Sequence, residues 1–216
     1  MSGHVFIATT GCAGSTLLMA ILTKLGMDTG FDYCSPISTV EGHTAFGGTY
    51  EVKMYGNLGQ ENYDRGFPYI MKSSRICTTL LDRADTFNYK IDYVYGLFRD
   101  PFIASVKERI MRDVLEGDSP TDFWNKIMKL PNIKDELGSA VYELQRMFLL
   151  LCLTVAKHDI PNTMLVYPHC MVDLPLTYKK LEFLMTKYSI SYDCFKEVCD
   201  ELIDQDILDI ALGYVK

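Results

Sequence analysis

The sequence lacks an excess of positive charge, because 28 acidic and only 21 basic residues give it a formal net charge of −7. Proteins that bind duplex nucleic acid usually carry a basic face, so nucleic acid is not expected as a partner. An anionic ligand would have to be held by local cations or backbone N–H groups, because the charge of the whole protein repels it.

Cysteine and histidine motifs for metal binding or redox chemistry are also absent. The seven cysteines are odd in number, widely separated and never arranged as C-x-x-C, and the four histidines do not have metal-ligand spacing. This pattern predicts reduced thiols and no metal site. No basic residue precedes the first apolar run, so a signal peptide is not indicated. These features predict a cytoplasmic protein.

Long hydrophobic runs are lacking as well. The longest, Met147 to Ala156, is about half of what a bilayer span requires. We therefore expect a buried helix there and no membrane insertion. A chain of 216 residues is long enough to bury a core without disulfides or metals, and a single domain over 1–216 is the simplest division.

Short apolar runs alternate with helical patterns along the chain. This alternation predicts an α/β fold in three layers, with a central, mostly parallel sheet flanked by helices. Strands are predicted at 5–8, 69–71, 92–98 and 164–167. Helices are predicted from Ser15 to a stop at Gly26, from a cap at Asp100 to about Leu115, and near 121–130, 137–158, 175–188 and 193–212. The stretch 27–68 shows no periodicity and is predicted to be a long irregular excursion.

The loop between the first strand and the first helix contains mainly small residues. Such residues let successive backbone N–H groups point toward one anion, and the positive end of the helix dipole adds to this attraction. Hydroxyl groups at the helix start can donate to the same oxygens. The segment thus predicts a phosphate cradle made of Gly11, Cys12, Ala13, Gly14, Ser15 and Thr16.

The loop, read as T-T-G-C-A-G-S-T-L-L over 9–18, resembles the 5′-phosphosulfate loop of the PAPS-dependent sulfotransferases, particularly their bacterial and phage-like branches. Other segments match in order: L-G-M-D-T-G at 25–30, G-T-Y-E at 48–51, M-K-S-S-R at 71–75, and a strand ending in R-D-P at 99–101. The resemblance implies a P-loop-like fold and a sulfuryl transfer from PAPS to a hydroxyl or amine acceptor. The acceptor would be a small molecule or a glycan.

The same resemblance implies roles for individual residues. Arg99 would bind the 3′-phosphate of PAPS, helped by Ser105 or Lys107, which lie near the position of the family's serine. Glu51 is the first candidate for the base that deprotonates the acceptor, and His43 is the second. The family places Arg or Lys where Cys12 stands, and Lys72 or Arg75 is expected to supply that cation.

Two other functions are open at this point. The ATP-type phosphate loop has Lys directly before Ser or Thr, whereas Gly14 occupies that position here, which disfavours a nucleoside or small-molecule kinase on the same scaffold. The cysteine at position 12 favours a nucleotide-binding protein that has lost catalysis. The acceptor and the oligomeric state are not indicated by the sequence.

Overall fold

The computed structural model describes residues 3–10, 13–29, 68–73, 77, 90–104, 133–205 and 208. The strands in this part are β1 (Gly3–Thr9), β2 (Ile70–Ser73), β3 (Lys90–Phe98) and β4 (Asn162–Val166). The helices are α1 (Ser15–Lys24), α2 (Ile133–Lys157), α3 (His169–Val172), α4 (Leu174–Lys180), α5 (Glu182–Lys187) and α6 (Tyr192–Leu202).

The four strands form one sheet in the order β2-β1-β3-β4, and every neighbouring pair is parallel. The predicted α/β class and parallel sheet are therefore confirmed. In β1, the run Val5 to Ala8 has no exposed surface, as expected for a strand covered on both faces.

Side chains alternate between two hydrophobic cores, one on each face of the sheet. The first core joins Val5 and Ile7 of β1 to α1, α4, α5 and α6. The second joins Phe6 and Ala8 to α2 through residues that include Leu151 and Val155. The period of two along the strand thus produces the helix–sheet–helix layering.

Two helix ends that the sequence predicted, the end of α1 and the start of the helix after β3, have defined caps. Gly26 adopts φ 76°, its N–H donates to Thr23 O at 2.9 Å, and the N–H of Met27 donates to Leu22 O at 3.1 Å. This pair of bonds is a Schellman motif, so the predicted stop at Gly26 is confirmed. Asp100 Oδ1 accepts from the N–H of Ile103 at 3.0 Å, which confirms the predicted cap after β3.

The later helices differ from the predictions in two places. The helix predicted over 175–188 is divided into α4 and α5 at Leu181. The helix predicted over 193–212 ends at Leu202, because Ile203 is extended with φ −86° and ψ 110°. The helix predicted from Asp100 to about Leu115 is described over 101–104, which are helical, and its remainder lies outside the described residues, as does the helix predicted at 121–130.

The apolar run in α2 is buried on one side only, so the expectation of a buried helix is wrong for the other side. Leu151 and Val155 pack in the second core, whereas Leu149 and Leu153 are each 56% exposed. By length and composition alone, the segment Gly138–Lys157 meets the criteria for a membrane span, with a mean hydropathy of 1.3 and 17% of the residues in that stretch buried. Core helices of soluble proteins meet the same criteria.

The thiols of the described residues are all free. They belong to Cys77, Cys152, Cys170, Cys194 and Cys199, and of these only Cys194 is exposed. Desolvation by burial raises the pKa of three of them, Cys77, Cys170 and Cys199, to about 12. These thiols therefore stay protonated at neutral pH.

Candidate functional site

The sheet has a topological switch point between β1 and β3. The chain leaves β1 for β2 on one side, crosses to β3 on the other side of β1, and continues outward to β4. Its crossover helices α1 and α2 cover opposite faces of the sheet. Open α/β sheets bind ligands in the crevice that this arrangement leaves at the carboxyl ends of such strands.

The start of α1 lies at this edge, directly after β1. Gly14 is the residue before the helix and has φ 78° and ψ 10°, a left-handed conformation that glycine adopts without strain. The first helical hydrogen bond is donated by the N–H of Leu18 to Gly14 O at 3.1 Å. Among the described residues, no side chain caps this helix. The N–H groups of Ser15, Thr16 and Leu17 precede the helical ladder, and N–H groups in this position are the ones that bind anions at helix N-termini.

Lys72 brings a positive charge to the same helix terminus. Its Nζ donates to Thr16 Oγ1 at 3.3 Å, and the lysine is only 8% exposed. The side chain comes from β2 at the position that pairs with Ile7 of β1, on the α1 side of the sheet. Because Thr16 accepts through its oxygen, its own hydroxyl hydrogen can still be donated to a bound oxyanion.

Arg99 follows the last residue of β3 and carries buried, unpaired donors. Its Nε and Nη1 are buried and have no hydrogen-bond partner among the described residues. Unsatisfied buried N–H groups are costly, and a guanidinium presents them in a planar fork that matches phosphate oxygens. At the end of β1, Thr9 Oγ1 is likewise buried without a partner in the described part of the chain.

Tyr167 contacts both the start of α1 and Arg99, and the sequence alone predicted no role for it in the site. Its ring lies against Gly14, where a Cβ atom would be 2.3 Å from Cδ2. Arg99 Cζ lies 5.2 Å from the centroid of the same ring, within cation–π range. Burial raises the pKa of the Tyr167 phenol and the charge of Arg99 opposes this shift. An aromatic residue at the carboxyl end of a predicted strand was the only sequence signal for this contact.

The structure therefore brings together five of the predicted site residues, namely Ala13, Gly14, Ser15, Thr16 and Lys72, and places Arg99 next to them through Tyr167. The other predicted residues lie outside the described ranges. These are Gly11, Cys12, His43, Glu51, Ser105 and Lys107, together with Arg75 as the alternative cation.

The chemistry of this edge is that of an anion site. The groups at this edge are backbone N–H groups of α1, the hydroxyls of Thr9 and Thr16, the ammonium of Lys72 and the guanidinium of Arg99. These groups donate hydrogen bonds, and two of them carry positive charge. No cluster of three His, Cys, Asp or Glu side chains suited to a metal ion occurs among the described residues. No protein-family model, curated protein or solved structure matches the chain.

Proposed function

We propose that the protein is a PAPS-dependent sulfotransferase. The N-terminus of α1 and the loop before it would hold the 5′-phosphosulfate of the donor, and Arg99 would pair with the 3′-phosphate. The observation that carries the proposal is the pair of buried Arg99 nitrogens, which have no partner in the described part of the chain and lie against the Tyr167 ring that packs on the start of α1. Two separate groups suited to anions, both in contact with Tyr167, favour a ligand with phosphate groups at both ends of a ribose.

Sulfuryl transfer depends mainly on positioning and on stabilising charge, by analogy with phosphoryl transfer. The acceptor oxygen forms a bond to sulfur while the bond between sulfur and the bridging phosphate oxygen breaks. The electron pair of that bond leaves with adenosine 3′,5′-bisphosphate, and the acceptor proton passes to a base, for which Glu51 is the first candidate and His43 the second.

Lys72 is proposed to stabilise the charge that develops on the leaving phosphate. Its ammonium group is buried against Thr16, at the helix terminus that would hold the 5′-phosphate. A charge in such a desolvated place acts more strongly than one in water. Lys72 thereby takes the role that the family gives to a cation at position 12, and this favours an active enzyme over a degenerate nucleotide-binding protein.

Ligand binding tests the proposal first. Adenosine 3′,5′-bisphosphate at one hundred times its dissociation constant should stabilise the fold by about 2.7 kcal/mol in thermal unfolding, whereas ATP–Mg²⁺ at the same concentration should not. Stabilisation by ATP–Mg²⁺ alone would replace the sulfotransferase with a kinase. Stabilisation by neither ligand would reject both.

Catalysis is tested with PAPS and a panel of small-molecule and glycan acceptors. Lys72→Met, which removes the charge and keeps an apolar stem, should lower turnover by about 100-fold or more while the bisphosphate still binds. Lys72→Arg is the matched control that keeps the charge and should recover part of the activity. Binding of the bisphosphate without turnover by the unaltered protein on any acceptor would identify a non-catalytic binder.

A further inference from the structure

Tyr167 contacts both of the elements that are proposed to bind the phosphates, the start of α1 and Arg99. A Cβ atom on Gly14 would be 2.3 Å from Tyr167 Cδ2 and 2.7 Å from Cε2, so the ring is packed directly on the residue that precedes α1. The guanidinium of Arg99 lies 5.2 Å from the centre of the same ring. The same ring therefore contacts both the start of α1 and the cation.

The surroundings of Tyr167 hold it in place. The residue is only 6% exposed, and its N–H donates to Phe98 O at 2.7 Å. Phe98 is the residue directly before Arg99, so Tyr167 is tied to the Arg99 segment by its backbone as well as by its ring. Because a tyrosine ring is rigid and has few rotatable bonds, this packing leaves the guanidinium little freedom to approach or leave α1.

We propose that Tyr167 is a positioning residue that sets the distance between the Arg99 guanidinium and the N-terminus of α1, and so selects nucleotides with phosphates at both the 5′ and 3′ positions. This inference rests on the proposed function. The role requires the aromatic ring and not the phenolic oxygen, since both contacts are made by the ring.

A ligand pair that differs by one phosphate gives the test. Adenosine 3′,5′-bisphosphate and adenosine 5′-monophosphate share the 5′-phosphate, and only the first has a group for Arg99. Calorimetric affinities are measured for the unaltered protein, Tyr167→Phe and Tyr167→Leu. We expect the preference for the bisphosphate to be kept in Tyr167→Phe and to fall about fivefold or more in Tyr167→Leu, in keeping with the loss of a cation–π contact.

The ratio of the two affinities separates positioning from a general structural role. A loop that is merely loosened would weaken both ligands equally and leave the ratio unchanged, and that result would overturn the inference. If Tyr167→Leu does not fold, Tyr167→Met replaces the ring by a flexible side chain of similar length. The ratio of the affinities for the bisphosphate and the monophosphate is then measured in that variant.

Failure of the inference can be told from failure of the proposed function. An unaltered protein that does not prefer the bisphosphate over the monophosphate rejects the proposed function and the positioning role with it. An unaltered protein with a clear preference that Tyr167→Leu retains in full rejects the positioning role alone.

Discussion

Gly14 meets two independent restrictions at the scale of the single residue. Its φ of 78° disfavours any side chain, and the Tyr167 ring occupies the space where a Cβ atom would be. Gly26, at the other end of α1, has nearly the same backbone angle, φ 76°, but no atom within 4 Å of its Cβ position. The two glycines therefore allow the effect of the angle to be separated from the effect of the contact.

We expect Gly26→Ala to lower the free energy of unfolding by about 1–2 kcal/mol, which is the cost of a side chain in the left-handed region. Gly14→Ala should lose about 1–3 kcal/mol more, because the added methyl group overlaps the ring. Urea denaturation of both variants measures the difference. Equal losses would show that Tyr167 does not pack on the helix start.

Combining Gly14→Ala with Tyr167→Leu tests why Gly14→Ala should destabilise the fold more than Gly26→Ala does. If the overlap with the ring causes this difference, the two substitutions together should destabilise the fold by less than the sum of their separate effects. Additive losses would contradict this explanation.

The elements after β4 depend on local caps, because α3, α4 and α5 are short. Asp173 separates α3 from α4, and its Oδ1 accepts a hydrogen bond from the N–H of Leu176 at 3.0 Å. Pro175 lies in the first turn of α4, where its missing N–H leaves no gap in the helical bonds. Thr177 connects α4 to α3, because its hydroxyl donates a hydrogen bond to Cys170 O at 2.6 Å.

Asp173→Ala is expected to lower the free energy of unfolding by about 1 kcal/mol, since the N–H of Leu176 loses its acceptor. Asp173→Asn keeps a side-chain oxygen at the cap and should stay within a few tenths of a kcal/mol of the unaltered protein. Thermal unfolding of the two variants side by side measures the effect. A loss of the same size in Asp173→Asn would mean that the negative charge, and not the hydrogen bond, stabilises the helix.

For the molecule as a whole, the sequence was enough to predict local elements and their class. Buried strands were indicated by short apolar runs, the end of α1 by Gly26, and the start of the helix after β3 by Asp100. The division of the helix at Leu181 was missed because apolar residues recur with helical spacing on both sides of it. The exposed side of α2 was missed because a continuous apolar run does not specify which of its faces packs on the sheet.

The candidate site was predictable where it is local and was missed where it depends on distant contacts. The loop before α1 could be recognised from its own residues, and the R-D-P segment marked Arg99. Tyr167 and Gly14 are far apart in the chain, so no sequence window contains their contact. Lys72 and Thr16 are also far apart, and the sequence predicted the role of the lysine but not its hydrogen-bond partner.

The two cores also predict how the stability of the whole fold depends on pH. Burial raises the pKa of Cys77 in the second core and of Cys170 in the first to about 12, from an ordinary value of 9.0. A raised pKa means that the folded state keeps its protons at a pH where the unfolded chain has lost them. The contribution of these two thiols to the free energy of unfolding should therefore be constant below about pH 8 and fall as the pH rises from 9 toward 12.

At pH 10, which is about one unit above the pKa of a cysteine in the unfolded chain, the ionisation of each of these two thiols on unfolding should lower the free energy of unfolding by about 1.4 kcal/mol. Urea midpoints in the presence of a reductant, compared at pH 8 and pH 10, measure the loss. Cys170→Ala should be less stable at both pH values but should lose less between them, because one buried thiol no longer ionises on unfolding. Cys194→Ala, which removes an exposed thiol, is the matched control. If Cys170→Ala loses as much stability between pH 8 and pH 10 as the unaltered protein does, the Cys170 thiol does not contribute to the pH dependence of stability.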